Sequence, residues 1–151
     1  MAAARAVRQA TPADVAAMVA VAADAYAPYV ARIGRAPAPM VADFAAHQDA
    51  GEAYVLDDGG EVVGYIVTFV KDDGQFIENV AVSPRRHGQG HGKRLLAFCE
   101  AEARRQGLGR LFLYTNIHMT ENLDFYPALG YVETRRVRED GFDRVYFEKL
   151  L

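Results

Sequence analysis

The densest chemistry in this chain lies in one stretch, Val80-Ala81-Val82-Ser83-Pro84-Arg85-Arg86-His87-Gly88-Gln89-Gly90-His91-Gly92-Lys93-Arg94-Leu95-Leu96. An apolar strand-like run ends at Val82, Pro84 closes its pairing, and three glycines alternate before a helical pattern begins. Glycine lets the backbone take positive φ and approach a ligand closely. Successive N–H groups leading into a helix N-terminus form an anion site, and Lys93 with Arg94 adds positive charge at its mouth. Those features suit a pyrophosphate. The Walker pattern needs Gly-Lys-Ser/Thr, but Lys93 precedes Arg94. The dinucleotide pattern needs Gly-x-Gly-x-x-Gly within a parallel βαβ unit, whereas Gly88, Gly90 and Gly92 alternate strictly and follow strands that read as antiparallel. A plain glycine-rich turn is the remaining alternative. His87 and His91 lie four apart, yet His87 sits in the loop with no third ligand beside it, so no metal site is expected.

The flanking elements must position this loop. Ala6–Gln9 reads as a short strand. Thr11 and Pro12 start a helix as N-cap and first helical residue, with Val15, Met18, Val19, Ala22 and Tyr26 as its inward stripe. The run Ile33 to Pro39 breaks it, and a second helix is predicted over Val41–His47. Glu52–Leu56, Val62–Val70 and Phe76–Val82 follow as strands of an antiparallel meander, the middle one apolar on both faces like a central strand. A helix from Gly92 to Gln106 buries Leu95, Leu96, Cys99 and Ala103, and Gly107 stops it. Leu111–Thr115 is a strand, Thr120–Leu129 a short helix, and Tyr131–Val137 with Arg144–Leu150 a hairpin around Glu139-Asp140-Gly141. The class is α+β, a single domain over residues 1–151.

Length and composition agree with that. At 151 residues, about half apolar and a quarter charged, the chain makes one domain with an ample core. A net charge of −3 argues against a nucleic-acid partner, which asks for a basic face. Cys99 is the lone cysteine, so no internal disulfide forms and a cytoplasmic setting is expected. The alanine-rich start, Met1 to Arg8, lacks a signal-peptide core. No stretch reads as the roughly 18 apolar residues of a membrane helix.

The glycine loop and Asn122-Leu123-Asp124-Phe125-Tyr126-Pro127-Ala128-Leu129-Gly130-Tyr131 together resemble the GNAT superfamily of acyl-CoA N-acyltransferases. The family's loop pattern is Arg/Gln-x-x-Gly-x-Gly/Ala, followed shortly by a Leu-Leu pair. Arg85, Gly88 and Gly90 match it by letter but leave Leu95-Leu96 two residues late. His87, Gly90 and Gly92 put that pair and Val80-Ala81-Val82 at the family's spacing, with a histidine where the family carries Arg or Gln. We prefer this second register. The downstream segment is similar to the family's aromatic-Tyr-x-x-x-Gly-aromatic signature, departing from it at Pro127.

The resemblance implies a GNAT-type fold, a mixed, mostly antiparallel sheet flanked by helices and splayed between its fourth and fifth strands. It implies acetyl-CoA as cosubstrate, with no metal, and a small-molecule or peptide amine as acceptor. A homodimer is left open. In the family the pantetheine arm pairs with main chain of the fourth strand, which here means Val80, Ala81 and Val82. Residues His87, Gly88, Gln89, Gly90, His91, Gly92 and Lys93 would hold the pyrophosphate, and Asn122 and Tyr126 would lie beside the pantetheine and the sulfur. Attack of a neutral amine on a thioester needs a base, a donor near the developing oxyanion and an acid for the departing thiolate. Tyr126 stands at the family's acid position, with a core aromatic as the alternative. Glu78, two residues before Val80 and on the same strand face, is the candidate base. A glutamate paired with a nearby arginine, with water as base, is the alternative. Arg32 and Arg35 either line the acceptor site or are solvated surface charge, and Cys99 packs. A non-catalytic CoA-binding module is the alternative function.

Overall fold

The computed structural model describes residues 5–151, so the first four residues of the alanine-rich start lie outside it. Its elements are strand β1 (Arg5–Gln9), helix α1 (Val15–Ile33), helix α2 (Phe44–Asp49), strands β2 (Ala53–Asp58), β3 (Glu61–Lys71) and β4 (Gly74–Val82), helix α3 (His91–Arg105), strand β5 (Arg110–Asn116), helix α4 (Thr120–Ala128) and strands β6 (Val132–Glu139) and β7 (Phe142–Leu150). The seven strands are ordered β1-β2-β3-β4-β5-β7-β6 in one mixed sheet, flanked by helices as expected. The chain divides into two compact units, residues up to Thr68 with Glu78–Phe98, and Phe69–Ile77 with Cys99–Leu151.

In the first unit β1 pairs antiparallel with β2, from Arg5↔Asp58 to Gln9↔Tyr54. β2 pairs antiparallel with β3, with a register shift between Leu56 and Asp57. Val63 to Thr68 are all buried, which answers their two-sided apolar pattern. Two expectations need correction. Val19 is 49% exposed and Val21 takes its place in the core, because the inward stripe of α1 runs through Met18, Val21 and Ala22. The second helix starts at Phe44 instead of Val41. Residues Ala38–Val41 form a 3-10 turn, and Asp43 caps α2 by accepting the Ala46 N–H at 3.0 Å. Phe44 then packs edge-on against Tyr65 of β3, ring centroids 5.1 Å apart, which seats α2 on the sheet.

Contrary to the sequence expectation, one stretch, Pro12–Ile33, is long and apolar enough to cross a membrane by length and composition. Nine of its 22 residues are alanine, and alanine supplies the hydropathy without bulk. A core helix passes the same test, and α1 buries Met18, Val21, Ala22 and Tyr26. It ends at Gly34, where φ is +91° and the N–H returns to the Val30 carbonyl at 2.8 Å; a left-handed terminal residue of this kind favours glycine.

In the second unit β4 pairs parallel with β5 over Gln75↔Leu111, Phe76↔Phe112 and Ile77↔Leu113. β5 and β6 both pair antiparallel with β7. Leu111, Leu113 and Thr115 of β5 are buried, while Phe112 and Tyr114 stack with Phe76 on the other face. Arginines cover that aromatic row: Arg110 lies 4.2 Å over Phe112 and Arg144 4.2 Å over Tyr114.

The entry to α1 is electrostatic. Buried Asp14 receives Arg8 Nη1 at 2.7 Å and Nη2 at 3.0 Å, and the Thr11 N–H at 2.7 Å. The Arg8 bond, foremost, holds its carboxyl down at about 2, against an ordinary 3.8. A depressed carboxylate contributes stability that is fully present above its unfolded value and lost as pH falls through its folded one. Asp14→Asn should therefore lower stability at pH 7 by roughly 1–2 kcal/mol, the solvent around Arg8 trimming the full linkage value. The deficit should shrink below pH 3.8 and vanish near pH 2; urea midpoints of both proteins across that range would test it.

Candidate active site

The glycine loop lies wholly in the first unit. β4 ends at Val82, and Pro84–Arg86 make a 3-10 turn. Arg85 binds Glu61 at 2.9 Å; Arg86 binds Glu61 at 3.1 Å and pairs with Asp58. These bonds hold the turn to the β2–β3 hairpin. Gly88 and Gly90 both have φ of +78°, and a Cβ added at either would meet nothing within 4 Å. Dihedral angle, not crowding, requires glycine there. Gly92 already belongs to α3. The Arg94 N–H returns to the Gly90 carbonyl at 3.1 Å, so the amides of Gly92 and Lys93 have no acceptor within their own helix. The chain here forms an open backbone concavity at the N-terminus of a 15-residue helix, a shape and charge that fit a pyrophosphate. Lys93 and Arg94 are exposed in its first turn.

The two histidines of the segment are placed differently. The His91 imidazole is turned inward, 1% exposed, with Nε2 3.2 Å from Gln89 Oε1. It is part of the support of the loop, not of its mouth. His87 is exposed, and its Nε2 lies 3.1 Å from the Val82 carbonyl, a carbonyl the resemblance gives to pantetheine. On α3, Leu95, Leu96, Cys99 and Ala103 are buried, as their spacing predicts. A Cβ on Gly64 of β3 would come within 2.9 Å of the Ala81 carbonyl oxygen and 3.2 Å of Leu95, so only glycine permits this approach.

The end of β4 is held by a buried polar knot. Asn79 Oδ1 accepts the Tyr65 hydroxyl at 2.8 Å and lies 2.9 Å from the Tyr26 hydroxyl, while its amide donates to the Pro39 carbonyl at 2.9 Å. The Tyr26 hydroxyl is also 3.0 Å from the Val80 carbonyl. Burial pushes the Tyr65 phenol well up from its ordinary range, so it stays a neutral donor. Next to the knot, Glu78 is half-buried and paired with histidine, not arginine: Oε2 lies 3.4 Å from His47 Nε2. His47 Nδ1 is 2.9 Å from Glu52 Oε1. None of Tyr26, Asn79, His47 or Glu52 was singled out as a site residue from sequence. Asn79, an amide inside an apolar strand, carried a signal, since a buried polar group demands partners. His47 carried none.

Asn122 and Tyr126 stand on α4 in the second unit. Asn122 Nδ2 donates to Thr115 Oγ1 at 3.0 Å. Tyr126 is buried, its ring against Phe125, Tyr131 and Phe147 at 5.4–5.7 Å. Burial, followed by the neighbouring Tyr126, raises the Tyr131 phenol. Pro127 sits one residue before the end of α4, where the loss of a donor disturbs only the last turn. Arg32 and Arg35 are exposed, with Arg32 5.0 Å over the Tyr29 ring.

The family described as acetyltransferase (GNAT) matches residues 18–131. Comparison with curated proteins finds no match. Among solved structures, the chain is similar to Ard1 from Thermoplasma volcanium at TM-score 0.78 and 19% identity, covering 98% of each chain. It is similar to the ribosomal-protein-S18-alanine N-acetyltransferase from Escherichia coli at 0.77 and 22%, covering 97% of this chain and 94% of that one. A third, the PaiA N-acetyltransferase from Thermoplasma acidophilum solved with coenzyme A, matches at 0.75 and 15%, covering 98% and 99%. At these identities the likeness is one of fold.

Asn79→Leu should cost about 3 kcal/mol, because two phenols and a carbonyl lose a buried partner. That corresponds to a melting temperature lower by roughly 10 °C in a domain of this size. Adding Tyr65→Phe should recover part of the loss, since removing both partners of a buried bond costs less than removing one. Melting curves of the three variants would show it, and a purely additive double variant would mean the knot is not cooperative.

Proposed function

Because this chain belongs to the acetyltransferase (GNAT) family, we propose that it transfers an acetyl group from acetyl-CoA to a primary amine of a small molecule or peptide. The observation that carries this reading is the loop conformation, Gly88 and Gly90 at φ +78° directly before the N-terminus of α3. Acetyl-CoA supplies the acetyl group activated as a thioester. Main-chain N–H groups from His87 to Lys93 would bind its pyrophosphate, with Lys93 contributing charge, while Val80, Ala81 and Val82 offer strand main chain to the pantetheine.

Glu78 takes the role of base. Its carboxylate sits two residues from Val80 on β4, with Oε2 3.4 Å from His47 Nε2. By its place in the family's motif Tyr126 would give its phenol proton to the departing thiolate, and Asn122 would contact the pantetheine. The Escherichia coli fold neighbour is named for an alanine of a ribosomal protein, so peptides with a free alanyl N-terminus join amino acids, polyamines and amine antibiotics in the acceptor panel.

Thiol release from acetyl-CoA over that panel tests the reading; release with none of the amines, alongside retained CoA binding, would leave a binding module instead. Gly90→Asp should abolish the thermal upshift that CoA gives the wild type, through backbone strain and repulsion of phosphate. Full binding by this variant would reduce the loop to a turn. Glu78→Gln should lower kcat about a hundredfold to ten-thousandfold at neutral pH with CoA affinity kept, and the acidic limb of the rate profile should disappear. An unchanged profile would give the role to water.

A further inference from the structure

We propose that His47 is a positioning residue for the Glu78 carboxylate, an inference that rests on the reading of Glu78 as base. The imidazole stands between two glutamates, Nδ1 2.9 Å from Glu52 Oε1 and Nε2 3.4 Å from Glu78 Oε2. Among the described residues, Glu52 and Glu78 are the acidic groups that face it. Nδ1 is within hydrogen-bond distance of Glu52, and Nε2 faces the Glu78 carboxylate, with which a protonated ring forms an ion pair. Glu52 thus fixes the ring plane, and the ring in turn fixes the carboxylate on β4, in the manner of a base oriented by a third group.

The scaffold around His47 is stiff enough for that task. Asp43 caps α2, Phe44 anchors it against Tyr65, and the Glu52 N–H returns to the His47 carbonyl at 3.0 Å. All three acidic and imidazole side chains remain 20–35% exposed, so protons exchange with solvent.

The test measures thiol release from acetyl-CoA with the amine of the panel that gives turnover, using His47→Ala, His47→Gln, Glu78→Gln and the double variant His47→Ala/Glu78→Gln. CoA-induced thermal shifts establish that each is folded. His47→Ala should lower kcat about tenfold and leave the KM for acetyl-CoA unchanged. His47→Gln, which keeps a donor, should recover part of that rate. The double variant should be no slower than Glu78→Gln alone. Normal rate in His47→Ala beside a crippled Glu78→Gln would overturn this inference only, as would additive losses in the double variant. A wild-type Glu78→Gln would overturn the base assignment and this inference with it.

Discussion

Burying the carboxamide of Asn79 obliges other segments to come to it, because an amide taken out of water without partners costs several times what a hydrogen bond returns. Tyr26 arrives from α1, Tyr65 from β3 and the Pro39 carbonyl from the connector after α1. The end of β4, the first helix and the chain leading into α2 are therefore registered against one side chain. Glu78 and Val80 flank that residue, so the two positions closest to the proposed chemistry inherit its placement. Low local dielectric makes the knot strong when complete and expensive when broken.

Charge is distributed on a different logic. Arg8, Arg85 and Arg86 are each bound to acidic side chains at the β1–β2–β3 edge, where they shape the backbone. An exposed pair such as Arg85–Glu61 is weak by itself, about 0–1 kcal/mol, but together with the more buried Arg86–Asp58 pair it restricts where the three-residue turn can go. Lys93 and Arg94 stand exposed in the first turn of α3 beside the concavity. The protein is acidic as a whole and locally cationic where an anion would enter, a separation that net charge conceals.

What was legible in the sequence was what local chemistry decides. Alternation and glycine placed the hairpins; Leu95, Leu96, Cys99 and Ala103 at helical spacing identified the buried side of α3; Gly88 and Gly90 announced positive φ. Errors arose where a local signal was ambiguous. Val41 looked like a helix start because it is apolar, but the proline-rich approach prefers a 3-10 turn and Asp43 is the better cap. Val19 fits the helical period as well as Val21 does, and only packing distinguishes them. The pairing of His47 with Glu78 links residues 31 positions apart, and no periodicity encodes such a contact. Spacing alone does not say which of the two loop histidines faces in, and only the structure shows it to be His91.

A loop whose shape is set by main-chain amides has a consequence for how this segment can change over generations. Those amides are present in nearly every residue type, so substitution leaves them in place as long as the dihedral angles survive. Selection at Gly88 and Gly90 acts on backbone geometry, while at Gln89 or His87 it acts on the neighbours each side chain supports. The segment can drift in its letters and keep its shape.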